Sequence, residues 1–145
     1  MKTPPGTPPP VQPDFEPDVR PEFRGKPRRN LRREGARGEE IAARFLVEQG
    51  YRIVERNFHF RRKGEIDIIA REGEYLVFCE VKMRTNDEYG LPEYAVTPMK
   101  QETIRRVASA YLAVKGVSGQ PCRFDVVAIR FEGNTPAITL LRNAF

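Results

Sequence analysis

A chain of 145 residues with 39% hydrophobic content predicts one domain, and its net charge of +5 is modestly basic. The sequence contains no apolar run long enough to cross a membrane and no segment that directs export, which argues against a membrane role. We therefore expect a cytoplasmic protein.

The amino-terminal residues differ in composition from the rest of the chain. Nine of the thirteen prolines lie within the first 27 residues, where aliphatic side chains are scarce. Such a segment cannot bury enough apolar surface to offset the entropy lost on ordering. We predict a disordered Pro/Arg-rich tail at residues 1–33 and a domain at residues 34–145. The tail is either a solvated extension or a docking ligand, and the basic cluster at residues 20–37 either follows a phosphate backbone or is a soluble linker.

The cysteines and the single histidine give little sign of metal or redox chemistry. Cys79 and Cys122 lack the C-x-x-C or histidine spacing of zinc and redox sites. Both fall in strand-like segments, so we expect reduced thiols in the core of a cytosolic protein. His59 has no obvious partner, and we expect it to be exposed or half-buried.

The first predicted element is a helix that begins at Arg33 or Glu34 and ends before Gly50. Its apolar side chains form one stripe, which we expect to pack on a sheet. Glu39 borders that stripe, whereas Glu40 points away from it. From the residues alone, Glu39 is best explained as a first-turn acid favoured by the helix dipole.

A strand with alternating side chains is predicted for residues 51–56, and a basic patch follows it directly before an acidic stretch. At the mouth of a site this patch would hold a phosphate backbone; a solvated loop without function is the alternative. The patch consists of Arg61, Arg62 and Lys63.

The acidic stretch predicts two strands joined by a two-residue turn at residues 73–74. An even turn of this length places Asp67 opposite Glu80. It also places Glu65 opposite Lys82, with directly opposed Cβ atoms about 4.5–5.5 Å apart. Four functional side chains therefore meet on two neighbouring strands.

The same alternation predicts which side chains share a face of the sheet. Along the first strand, Asp67 shares its face with Glu65 and Ile69, while Ile66 and Ile68 take the other face. Each strand thus carries acids within an otherwise apolar run.

This arrangement of charges predicts phosphodiester chemistry. Two neighbouring carboxylates repel each other and are costly to desolvate without a cation. Mg²⁺ is commonly held by one or two carboxylates together with water and substrate phosphate, and it can activate water and stabilise a leaving oxygen. Lys82 follows Glu80 by two residues on the same face, so its ammonium would lie beside the attacked phosphate or the water.

A second helix follows a stretch without periodicity at residues 85–92. Tyr89 in that stretch either stacks on a base or is structural. The helix has Thr97 as its N-cap and ends before Gly116. Lys100 lies near its core stripe and either reaches toward the site or a phosphate, or snorkels along the sheet edge.

Two further strands complete the predicted order αβββαββ of a single α/β domain. Residues 123–130 are apolar on both faces, which is typical of an interior strand. Residues 138–141 supply the last strand after a turn. Asp125 is predicted to be structural, paired with a basic group or a backbone donor.

Five ordered segments resemble the YraN-type bacterial family of the restriction-endonuclease-like superfamily of nucleases, which includes the Holliday-junction resolvases. Ile66 replaces the proline that the superfamily usually has before the aspartate, a position that shapes the strand. The segments are Gly35-x-x-Gly38-Glu39, Gly64-Glu65-Ile66-Asp67, Phe78-Cys79-Glu80-Val81-Lys82-x-Arg84, Ala95-Val96-Thr97-Pro98-x-Lys100 and Arg123-Phe124-Asp125-Val126-Val127.

The resemblance implies a restriction-endonuclease-like mixed sheet flanked by helices and a metal-dependent endonuclease using Mg²⁺ or Mn²⁺. It makes Glu39 the third carboxylate of the site, acting directly or through water, beside Asp67, Glu80 and the Val81 carbonyl. Lys82 is the expected catalytic lysine, and Glu65 would lie beside Lys82 and orient its ammonium. The expected nucleic-acid contacts are Arg61, Arg62, Lys63, Arg84 and Lys100.

Nucleic acid is the implied partner, with DNA favoured over RNA. Branched DNA and a homodimer follow by analogy with the resolvases, because symmetric cleavage needs two sites. The alternatives are a nucleic-acid-binding module that keeps the nuclease fold without cutting, and a scaffold whose proline-rich arm recruits a partner.

Overall fold

The computed structural model describes residues 31–84 and 96–145, except for the side chains of residues 31–34 and 84. The predictions for most of the tail, for Tyr89 and for the side chain of Arg84 fall outside these residues. The described chain has the order αβββαββ, which confirms the predicted α/β class. Its elements are α1 (Leu31–Glu48), β1 (Arg52–His59), β2 (Glu65–Glu72), β3 (Tyr75–Arg84), α2 (Pro98–Lys115), β4 (Cys122–Glu132) and β5 (Thr135–Leu141).

The strands form one five-stranded mixed sheet in the order β1-β2-β3-β4-β5. Among the described strands, β3 and β4 are the one parallel pair, and helix α2 lies in the crossover between them. The other neighbours are antiparallel. This is the mixed sheet with flanking helices that the sequence predicted.

Each face of the sheet has its own apolar core because alternate strand residues pack under different helices. Cys79 packs with Ile41, Ala42 and Leu46 of α1, whereas its neighbour Phe78 packs on the other side. The α2 core contributes Ile104, Val107, Ala108 and Tyr111. Both cysteines are free, with Cys79 buried and Cys122 half-buried. Neither described helix has the length and apolar character that a membrane crossing requires.

Helix α1 begins at Leu31, slightly before the predicted start, and its helical bonding ends at the predicted place. Gly50 has φ +93, a conformation that favours glycine, and lets the chain turn into β1. The Tyr51 N–H then donates to the Leu46 carbonyl at 2.9 Å, closing the helix end.

Two glycines let the helices approach the strands that carry the acids. A Cβ at Gly38 of α1 would collide with the side chain of Met83 of β3. A Cβ at Gly64, which directly precedes β2, would lie 2.7 Å from Cγ2 of Thr103 of α2. Because neither glycine carries a side chain, both helices pack close to the acidic end of β2 and β3.

The β2–β3 hairpin has the predicted register. Glu72 pairs with Tyr75 across a two-residue turn, and the ladder continues to Ile68 opposite Cys79. Gly73 occupies the turn with φ +57, as turns that match the strand twist require. Continuation of this register brings Asp67 next to Glu80.

The predicted strand faces are wrong for Ile66. It packs in the α2 core with Ile69, while Ile68 packs in the α1 core. The β2–β3 ladder ends at Ile68, and the Asp67 carboxylate accepts a hydrogen bond from the Val81 N–H at 2.8 Å. Because this side chain replaces a backbone partner, the strands separate and the simple alternation is lost.

Helix α2 has the predicted caps and core face. Thr97 Oγ1 accepts the Lys100 N–H at 3.2 Å, and Pro98 occupies the first turn. Gly116 ends the helix in the left-handed conformation with φ 65. The predicted apolar stripe is buried against the sheet.

The remaining strands differ from prediction mainly in length. Strand β1 runs to His59, and its side chains alternate over residues 52–56 as predicted, although the pairing register with β2 shifts between Ile53 and Glu55. Strand β4 is interior as predicted, and β5 begins at Thr135, three residues before the predicted start at residue 138.

A buried polar network supports the end of the sheet near the β2–β3 turn. Asp125 is 0% exposed and accepts hydrogen bonds from Tyr51 Oη at 2.7 Å, from two Arg123 nitrogens at 2.9 and 2.8 Å, and from the Asn143 N–H at 3.0 Å. Burial raises the pKa of Tyr51, which keeps its hydroxyl protonated and donating. The predicted structural role of Asp125 is confirmed.

Candidate metal site

Asp67 and Glu80 lie side by side where β2 and β3 separate. They are 7% and 6% exposed, so water scarcely solvates either carboxyl group. The two groups are within hydrogen-bonding reach of each other, an arrangement that requires a proton on one of them. Glu80 Oε2 is buried and has no hydrogen-bond partner among the described residues. A buried carboxylate oxygen without a donor is costly, and a cation is the usual remedy.

The protonation of this pair follows from its burial. Burial, and then the charge of Asp67, raise the pKa of Glu80 to about 8. Burial also raises the pKa of Asp67, although the hydrogen bond from the Val81 N–H opposes that shift. At neutral pH the pair therefore retains a proton unless a cation replaces it.

Among the described side chains, Lys100 provides the cation that forms an ion pair with this site. Its Nζ lies 3.8 Å from Glu80 Oε1, and its side chain is 37% exposed. The sequence had left open whether Lys100 reaches the site or lies along the sheet edge, and the structure places it at the site. The charge of Lys100 lowers the pKa of Glu80 more than that of Lys82 does.

Lys82 is half-buried near the end of β3. Its charge lowers the pKa of Glu80, which places the ammonium in the surroundings of the site. Among the described residues, however, it makes no ion pair within 4.0 Å. The Lys82 ammonium therefore acts electrostatically on Glu80 without forming an ion pair with either acid of the described pair.

The predicted pairing of Glu65 with Lys82 is wrong. Glu65 pairs across β1 with His59, and its Oε2 lies 3.2 Å from His59 Nε2. The β2–β3 ladder has already ended at Ile68, so β3 no longer presents Lys82 opposite Glu65. The sequence showed no obvious partner for His59, and the structure gives it Glu65. The His59 ring is exposed, as predicted.

Glu39 approaches the pair from helix α1. Burial and the charge of Asp67 raise the pKa of Glu39, while a side-chain hydrogen bond with Asn57 opposes that shift. Within residues 31–84 and 96–145, no three Asp, Glu, His or Cys side chains come close enough together to hold a metal. Glu39 is thus near Asp67 electrostatically without joining it in a three-acid cluster, an arrangement that suits the predicted contact through water.

Asn57 was missed by the sequence reasoning. It has φ 54 within strand β1, an uncommon conformation that asparagine tolerates better than most residues, and its side chain reaches Glu39. The available signal was a small amide interrupting a strand between a basic and an aromatic residue.

The basic patch lies at the same end of the sheet as the acids, because β2 begins two residues after Lys63. All three of its side chains are exposed. The Arg61 guanidinium carbon and Lys63 Nζ lie 5.3 and 5.8 Å from the ring centroid of Phe60, which packs against the α2 core. These cations are therefore held over an anchored ring and remain open to solvent.

The fold and this site define the chain as an α/β protein with a five-stranded mixed sheet and a buried acidic pair on two adjacent inner strands. The model of one protein family, described as "Uncharacterised protein family UPF0102", matches residues 38–129. The chain belongs to this family, which confirms the resemblance to YraN-type proteins.

Relatives from several bacteria align with this chain over most of their length. A UPF0102 protein of Syntrophus aciditrophicus is 48% identical over 113 residues, covering 78% of this chain and 88% of the relative. A UPF0102 protein of Symbiobacterium thermophilum is 54% identical over 98 residues, covering 68% of this chain and 82% of the relative. One from Lachnoclostridium phytofermentans is 50% identical over 117 residues, covering 80% and 95%.

Proposed function

We propose that this protein is a metal-dependent endonuclease that hydrolyses phosphodiester bonds of nucleic acid, with DNA as the favoured substrate. The observation that carries the proposal is the burial of Asp67 against Glu80, with Glu80 Oε2 left without a partner. A divalent cation resolves this unfavourable arrangement, and basic groups for a polyanionic substrate lie around it.

The donor set fits Mg²⁺ or Mn²⁺. Both ions prefer oxygen ligands, and Mg²⁺ is usually held by one or two carboxylates with waters and substrate phosphate completing its shell. Asp67, Glu80 and the Val81 carbonyl would hold the ion, and Glu39 would contact it through water. When bound, such an ion supplies an activated nucleophile and neutralises charge at the phosphorus.

The lysines would act on the substrate. Lys82 would orient the attacking water or stabilise the negative charge that develops on the phosphate oxygens. Arg61, Arg62 and Lys63 would hold the nucleic-acid backbone at the same end of the sheet, and Arg84 and Lys100 were predicted to do so as well. Glu65 has a different partner, His59, so its role would be confined to the charge around Asp67.

A cleavage assay tests this proposal. The protein is incubated with branched, flapped and single-stranded DNA and with RNA, in Mn²⁺, Mg²⁺ or EDTA. We expect cleavage that disappears in EDTA and in Asp67→Ala and Lys82→Ala. Glu40→Ala is the matched control, because Glu40 is exposed and paired with Arg44 and Arg56.

Two other results would redirect the proposal. Binding to these substrates without any metal-dependent cleavage would favour the non-catalytic binding module. A protein that neither binds nor cleaves these substrates would contradict both functions. Light scattering of the protein in solution tests the proposed homodimer, which would carry the two sites that symmetric cleavage of branched DNA requires.

A further inference from the structure

The position of Lys100 is fixed by the first turn of α2. Thr97 Oγ1 accepts the Lys100 N–H at 3.2 Å, and the Gln101 N–H donates to the Thr97 carbonyl at 2.9 Å. The Gln101 side chain donates to the Val96 carbonyl at 3.1 Å. These bonds, together with the close approach of Gly64 to the same helix, hold the backbone of Lys100 over the acidic pair.

The contact between Lys100 and the acids is an incomplete one. Its Nζ lies 3.8 Å from Glu80 Oε1, which is beyond ordinary hydrogen-bonding distance. The other oxygen, Oε2, remains buried without a partner. A half-exposed ammonium at this distance partly compensates the charge of the pair without being locked in place, because its flexible stem can swing toward solvent.

A divalent ion would compete with this ammonium for the same carboxylate. It carries twice the charge and binds carboxylate oxygens at shorter range than the ammonium does. Two cations cannot occupy the same side of Glu80 without repelling each other. Entry of the ion therefore favours movement of Lys100 away from Glu80, toward the side from which a nucleic-acid backbone would approach.

We propose that Lys100 is a built-in counter-ion that occupies the metal site in the metal-free protein, competes with the incoming ion, and is released to the substrate phosphate when the ion binds. This inference rests on the proposed function and adds to it a means by which metal and substrate binding are coupled. Without metal, the Lys100 ammonium stays beside Glu80 through charge attraction; with metal, it is available to a phosphate.

Metal binding without substrate tests the inference. Mn²⁺ binding is measured by isothermal titration calorimetry on the full chain, for the wild type, Lys100→Met and Lys100→Arg. We expect Lys100→Met to bind Mn²⁺ roughly tenfold more tightly, because a unit charge about 4 Å from the site has been removed. Lys100→Arg keeps the charge and should bind within about twofold of the wild type, since charge and not shape sets the competition.

Lys115→Met is the matched control. Lys115 lies fifteen residues further along α2, about 22 Å away at the helical rise, and its Nζ is 4.0 Å from Glu55 Oε2. Its loss should leave Mn²⁺ affinity unchanged. Circular dichroism establishes that each variant is folded, and Lys100→Gln replaces Lys100→Met if the latter is not.

Measurements of DNA binding and cleavage then distinguish failure of this inference from failure of the proposed function. At saturating Mn²⁺, we expect Lys100→Met to bind DNA more weakly than the wild type although it binds Mn²⁺ more tightly. Equal Mn²⁺ affinity of Lys100→Met and Lys115→Met, in a protein that binds Mn²⁺ and cleaves DNA, would overturn the inference alone. A wild type that binds no Mn²⁺ would overturn the proposed function, and the inference with it.

Discussion

Replacement of Glu80 by glutamine should stabilise the metal-free protein at neutral and alkaline pH. The glutamine amide has nearly the same shape as the protonated glutamic acid and can donate to Asp67, but it carries no titratable proton. In the wild type, burial and the charge of Asp67 raise the pKa of Glu80 from 4.5 to about 8. The native protein must therefore hold a proton at a pH at which the unfolded chain has released it.

The sign and size of the effect follow from this difference. Because the native pKa is raised, the contribution of Glu80 is most favourable below pH 4.5 and is progressively lost as the pH rises toward about 8. Each pKa unit corresponds to about 1.36 kcal/mol, so the wild type should lose roughly 3 kcal/mol relative to Glu80→Gln between about pH 5 and pH 8. The two proteins should have similar stability near the acid end of this range.

Urea denaturation in EDTA at both pH values measures this difference. Glu40→Gln is the control, because its hydrogen bond with Arg56 lowers the pKa of Glu40, so its loss should destabilise slightly at neutral pH. Added Mn²⁺ should stabilise the wild type and have little effect on Glu80→Gln. If the free energies of unfolding of the wild type and Glu80→Gln differ by the same amount at both pH values, the pKa of Glu80 is not raised by the buried pair.

Three further substitutions test the packing of α1 on the sheet and the buried network around Asp125. Gly38→Ala should collide with Met83 and lower the free energy of unfolding by about 1–3 kcal/mol through overpacking. Gly35→Ala is the control, because its Cβ would meet nothing within 4 Å, and it should raise the free energy of unfolding by about 0.5–1 kcal/mol. Equal effects of the two substitutions in urea denaturation would contradict the close packing of α1 on β3. Tyr51→Phe removes a donor to the buried Asp125 and should cost about 1–3 kcal/mol by the same measurement, and an unchanged midpoint would show that the network holds without the hydroxyl.

Much of the fold follows from local chemistry in the sequence. The turn at residues 73–74 sets the register that brings Asp67 next to Glu80. The Thr97 side-chain oxygen accepts a backbone N–H at the start of α2, and Gly116 adopts the left-handed conformation that ends the helix. The apolar periodicity of each segment then determines which face it buries.

The features that the sequence did not predict depend on contacts between distant residues. Ile66 changes face because the Asp67 carboxylate takes the Val81 N–H from the ladder. Alternation alone cannot anticipate a side chain that replaces a backbone partner. The contact of Asn57 with Glu39 likewise depends on an uncommon backbone conformation within β1.

For Lys100, the helical wheel placed the side chain near the core stripe of α2 but could not determine its reach. The answer depends on how closely α2 packs on β2, which Gly64 and Thr103 set. Electrostatic complementarity with Glu80 then favours one of the two predicted positions.

We propose that Asp67 and Glu80 together hold a divalent ion. Anomalous X-ray scattering from crystals grown with Mn²⁺, collected at the manganese absorption edge, tests it most directly. We expect one strong anomalous peak between the two carboxyl groups in the wild type and none there in Asp67→Ala. A wild-type crystal at saturating Mn²⁺ without a peak at this pair would contradict the claim.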